Sequence, residues 1–69
     1  RDYRFTTASE LRVRVAGKKS AALIDSLPMG KTARVLQRDR DWTEIEYETR
    51  DDGNKTGWVF SRYLRRFDR

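Results

Sequence analysis

In the middle of the chain, Thr43, Ile45 and Tyr47 alternate with Glu44 and Glu46 over the segment Trp42 to Glu48. A period of two sends one set of side chains to each face, so this segment reads as a β-strand with one face buried and one in water. The same signature recurs at Leu11, Val13 and Val15 against Arg12 and Arg14, and in Thr32 to Leu36, where Ala33 and Val35 oppose Arg34. Ala21 to Leu27, Gly57 to Phe60 and Leu64 to Phe67 read as further extended pieces. Turn chemistry separates them: Gly17-Lys18-Lys19-Ser20, Pro28-Met29-Gly30, the polar run Arg38-Asp39-Arg40-Asp41, and the hairpin loop Arg50 to Thr56. Ser61 to Leu64 is too short for an α-helix and fits one 3₁₀ turn before the last strand. Short strands every ten residues or so predict a sandwich or barrel. For 69 residues the expectation is an all-β, small five-stranded barrel over residues 9–67, preceded by a lead-in segment at 1–8, at most a short edge strand.

Composition narrows what such a barrel can do. The chain has neither Cys nor His, so disulfides and an ordinary structural zinc site are excluded, and the core must rest on packing alone. Leu11, Val13, Ile24, Leu27, Val35, Ile45 and Leu64 are the expected core. If Val59 points inward, Trp58 points outward and covers the sheet or meets a neighbouring domain. The four glycines read most simply as turn residues, and Gly57 also permits a close backbone approach or a bulge. Lacking His and Cys, the chain also lacks the commonest general base and the strongest nucleophile, and a domain this small rarely encloses a catalytic pocket. A non-enzymatic domain with no cofactor and no metal is expected. Asp51 to Asn54 has too few spaced oxygen donors for a calcium loop and reads as turn chemistry.

The order of motifs resembles the bacterial Src-homology-3 domains. Leu11-Arg12-Val13-Arg14 stands where that family opens with Leu-Asn-Val-Arg, and Leu23-Ile24-Asp25-Ser26-Leu27 closed by Gly30 stands for its Val-Ile-Gly-x-Leu. Ala33-Arg34-Val35-Leu36, Trp42 to Tyr47, Gly57-Trp58-Val59 and Tyr63-Leu64 follow in the family's sequence. The resemblance spans about residues 9–66 and implies an SH3-like barrel. It also implies a shallow groove on the barrel rim, formed by Trp42, Phe60 and Tyr63 and bordered by the loop of Lys18 and Lys19. Two features depart from the pattern: Val15-Ala16-Gly17-Lys18-Lys19-Ser20 replaces the usual Gly-Pro-Ser turn with a basic one, and the acidic loop and paired tyrosines that grip Pro-rich peptides in eukaryotic members are missing. Polyproline recognition does not carry over.

The expected function is an accessory recognition domain of a larger protein, its partner a peptide or protein segment or a cell-wall polymer. The resemblance implies a cell-envelope setting. No run of 18 apolar residues is present, so no membrane-inserting helix is expected, and the isolated domain is expected to be monomeric. The chain starts at Arg1 without an initiator Met and shows no signal-peptide pattern, which reads as a domain of a longer chain. Two rival readings stay open. The net charge is +5, and Arg12, Arg14, Lys18 and Lys19 with Arg62, Arg65, Arg66 and Arg69 would make a nucleic-acid-binding face if the barrel gathers them. Interleaved Glu10, Asp25, Asp39 and Asp41 count against a continuous phosphate track. The other rival is a structural interdomain module seated through Trp58.

Overall fold

A computed structural model describes residues 2–67. The strands are β1 (Tyr3–Thr6), β2 (Glu10–Arg14), β3 (Leu23–Pro28), β4 (Thr32–Asp39), β5 (Trp42–Glu48), β6 (Asn54–Phe60) and β7 (Leu64–Arg66), with one 3₁₀ turn, Ser61–Tyr63, leading into β7. The all-β, SH3-like architecture and the 3₁₀ turn are as the sequence predicts. The strand count is seven instead of five. β1 and β7 are four and three residues long, too short to carry a period-two signal, and they form against each other. In the segment expected as a lead-in, β1 is no edge: the sheet runs β3-β2-β6-β5-β4-β1-β7, all neighbours antiparallel.

The two end strands, β3 and β7, are not laddered together, so the barrel is a curled sheet with a seam. Thr6 bridges part of that seam. Its hydroxyl donates to the Pro28 carbonyl at 2.6 Å and accepts from the Lys31 amide at 3.0 Å, while its carbonyl accepts from Gly30 N at 2.8 Å. Gly30 adopts φ +83 to make this turn, a conformation that costs glycine little.

Inside the curl lies one core of Leu11, Val13, Leu27, Ala33, Ile45, Tyr47, Val59 and Leu64. Two expected core residues differ. Val13 pairs with Asp25 but Arg14 pairs with Leu23, so Ile24 is the extra residue of a bulge and its side chain is 37% exposed. Val35 is half-buried beside a second irregularity, where β4 advances two residues, Val35 to Gln37, against one on β5. Buried Tyr47 takes up apolar volume instead; its hydroxyl donates to Asp25 Oδ2 at 3.1 Å. Burial and then the nearby Asp25 carboxylate hold that phenol well above its ordinary value. Val59 is fully buried, and Trp58 is half-buried on the opposite face, as alternation requires.

Candidate functional site

The β4–β5 hairpin reverses in two residues, pairing Asp39 with Trp42, and so starts β5 at the barrel rim. In the next ladder Trp42 pairs with Phe60, the last residue of β6. Cross-strand partners have their side chains on one face, and the two rings stack with centroids 4.2 Å apart at 25°. The 3₁₀ turn then folds Tyr63 back, its ring meeting Phe60 edge-on at 6.4 Å and 74°. Two hydrogen bonds pin that turn: Ser61 N to the Asp41 carbonyl at 2.7 Å, and the Thr43 and Ser61 hydroxyls at 2.6 Å. Thr43 is buried, so the clamp is sheltered from water.

Trp42, Phe60 and Tyr63 thus lie together along a surface hollow of about 250 Å³ whose remaining walls include Leu11, Arg12 and Arg14. A second hollow of about 290 Å³ lies on the other side of Phe60, lined by Arg38, Asp41, Ser61 and Arg62. Phe60 is the partition between them.

The basic loop divides its two lysines. Lys19 Nζ stands 6.0 Å from the Phe60 ring centroid, within cation–π reach. Lys18 uses its backbone to close the turn, its N–H donating to the Ala16 carbonyl and its carbonyl accepting from Ala21, while its side chain is exposed and lines neither hollow. Gly17 brings this loop over the aromatic rings. A Cβ there would sit 3.1 Å from Trp42 Cβ and 3.2 Å from Trp58 Cε3, so the missing side chain is what lets the loop lie so close. Trp58 is therefore partly roofed by its own chain.

Sequence reasoning set Arg12, Arg14, Lys18 and Lys19 with Arg62, Arg65, Arg66 and Arg69 as a candidate basic face; of these Arg12, Arg14 and Arg62 line the two hollows, and so does a residue it read only as part of a polar connection, Arg38. The signal was the tight turn after it, which holds that end of β4 next to Trp42. Arg65 and Arg66 pair with Phe5 and Arg4 on β1, away from the hollows, and Arg69 lies outside the described residues. Among the described residues no cluster of three His, Cys, Asp or Glu side chains is arranged to hold a metal, and no helix is long and apolar enough to cross a membrane.

A curled seven-stranded sheet with an aromatic hollow on its rim defines an SH3-like recognition fold. The chain belongs to the bacterial SH3 domains: that family's model matches residues 9–65. It is similar to a Bacillus subtilis (strain 168) protein named "Putative N-acetylmuramoyl-L-alanine amidase YrvJ", with 34% identity over 59 residues, 86% of this chain. The chain spans 10% of that relative's length. No solved structure matches with significance.

Proposed function

We propose that this domain is a non-catalytic targeting module that seats a larger protein on a cell-envelope polymer or peptide through the groove of Trp42, Phe60 and Tyr63. The observation that carries this reading is the convergence of three aromatic side chains from β5, β6 and the 3₁₀ turn into one hollow held rigid by backbone and hydroxyl clamps. Rigid aromatics bury much area at little entropic cost, and such residues dominate binding energy at protein surfaces. The amidase name of the similar Bacillus protein supports a cell-wall setting, since the relative's remaining length leaves room for a separate catalytic part. The nucleic-acid reading finds less support: Trp42 and Phe60 spend a ring face on each other, and Glu10 and Asp41 interrupt the basic rim.

Co-sedimentation with purified peptidoglycan sacculi tests the proposal. Wild-type protein is expected to pellet, and Trp42→Ala to bind at least tenfold more weakly, about 1.4 kcal/mol. Because Trp42 is half-buried, Phe60→Leu, which preserves apolar bulk but not the ring, serves as a second probe, and Tyr3→Ala on another face as the control. Unaltered pelleting of both groove variants would overturn the assignment.

A further inference from the structure

Three cations are paired with carboxylates, none of them at the groove: Arg34 donates from Nε and Nη2 to Glu46 Oε1 at 3.1 and 2.8 Å, Arg4 donates from Nε to Asp2 at 3.0 Å, and Lys55 lies 3.6 Å from Asp52. The hydrogen bonds hold the Glu46 and Asp2 carboxyls below their ordinary values. At the groove no such pairing occurs: among the described residues Arg12, Arg14, Arg38, Arg62 and Lys19 have no carboxylate within 4 Å. Several are nonetheless held in place by uncharged groups. Arg14 Nη1 donates to the Ala21 carbonyl at 3.0 Å, Arg38 Nε donates to the Arg40 carbonyl at 3.1 Å, and the Arg62 guanidinium lies 5.6 Å from the Tyr63 centroid. Their remaining donors make no ion pair among the described residues.

These cations also fall into two pairs. Arg12 and Arg14 line the hollow on one side of Phe60, and Arg38 and Arg62 line the hollow on the other. Resting on the groove reading above, we infer that the ligand is an acidic peptide, laid across Phe60 so that carboxylates on either side of an apolar side chain meet one arginine pair each. A guanidinium fork matches a carboxylate in two hydrogen bonds, which a preoriented Arg offers at reduced entropic cost. Glu10 and Asp41, one in each hollow, favour this ligand over a phosphate polymer. A uniformly charged backbone would run past both acids, whereas a peptide with separated charges avoids them.

The test is an NMR titration of the ¹⁵N-labelled domain with the blocked hexapeptide Glu-Leu-Glu-Leu-Glu-Leu and its Gln-for-Glu and Lys-for-Glu counterparts, with oligo(dT) and inorganic polyphosphate as further arms. The glutamate peptide is expected to shift the Trp42 indole N–H and the Arg12 and Arg62 amides, to bind at least tenfold more tightly than the glutamine peptide, and to weaken as NaCl rises from about 0.05 to 0.5 M. The exposed double substitution Arg12→Gln, Arg62→Gln should remove that preference without altering the fold. Equal binding of the glutamate and glutamine peptides, shifts confined to the Arg34 and Glu46 face, no binding by any peptide, or tighter binding of either phosphate polymer would each overturn the inference. The two readings fail separately. Trp42-dependent binding to sacculi with no charge preference refutes the acidic ligand alone; a tight glutamate peptide with Trp42-independent sacculi refutes the envelope target alone.

Discussion

Adding one methyl group at Gly57 should damage this domain more than most surface substitutions. A Cβ at Gly57 would overlap Val13 Cγ1, sit 2.9 Å from Ile24 Cδ1 and lie 3.2 Å from the Arg14 carbonyl oxygen. Ile24 can swing aside, being partly exposed at the bulge. Val13 cannot: it is fully buried, and a β-branched side chain has little rotamer freedom. The Arg14 carbonyl is backbone, and Arg14 with Trp58 is the one register pair joining β2 to β6. Relief therefore requires β2 to move off β6. Overpacking of this kind costs about 2 kcal/mol, out of a total of roughly 3–10 kcal/mol for a chain this long. The melting midpoint of Gly57→Ala should fall by roughly 8–16 °C. Urea unfolding followed by circular dichroism should show a lower midpoint with an unchanged slope. Val13→Ala, destabilising alone, should be less so when combined with Gly57→Ala, since the new methyl occupies the space vacated; a double-mutant cycle reads that coupling. A midpoint within about 3 °C of wild type, or strictly additive effects, would refute the steric argument.

Thr6→Val should cost more than Thr6→Ser, because the valine leaves the part-buried Pro28 carbonyl and Lys31 amide without their shared partner, the hydroxyl of fully buried Thr6. The expected loss is about 2 kcal/mol by urea denaturation, and a valine variant as stable as the serine one would remove Thr6 as a bridge across the seam. The Tyr47 phenol stays protonated in the folded state at pH values where the unfolded chain ionises. The unfolded state then binds fewer protons, so stability is fully present below pH ~10 and declines as pH rises beyond it. Tyr47→Phe should flatten that decline in midpoint measurements between about pH 9 and 11, and an equally steep decline would place its origin elsewhere.

β5 was legible residue for residue because its alternation is unbroken from Trp42 to Glu48. The order Trp42, Phe60, Tyr63 was legible through the family's motifs, and the ladder between β5 and β6 then turns that order into a stacked pair. The bulge at Ile24 was not legible, since an inserted residue shifts the phase of a pattern without leaving a compositional trace. β1 escaped for a different reason. Its mixed charges and aromatics, Tyr3-Arg4-Phe5, are explained only by neighbours far away in sequence: Arg34 and Ala33 on one side, Arg66 and Arg65 on the other. The pairing of hollows across Phe60 was hidden likewise, because Arg38 and Arg62 meet only once the hairpin and the 3₁₀ turn have formed.

The position of β1 bears on how the domain comes into being. Its opening strand is sandwiched between one from mid-chain and the closing one, so a nascent polypeptide cannot complete the sheet until Arg66 has emerged from the ribosome. Tyr3 to Thr6 can pair with β4 earlier but lacks its second neighbour until then, and joining segments so distant in sequence makes for slow assembly. A fragment trimmed to the family-matched boundaries, 9–65, would discard that strand altogether. It would leave β4 and β7 facing an empty slot, open to an extended segment from another molecule.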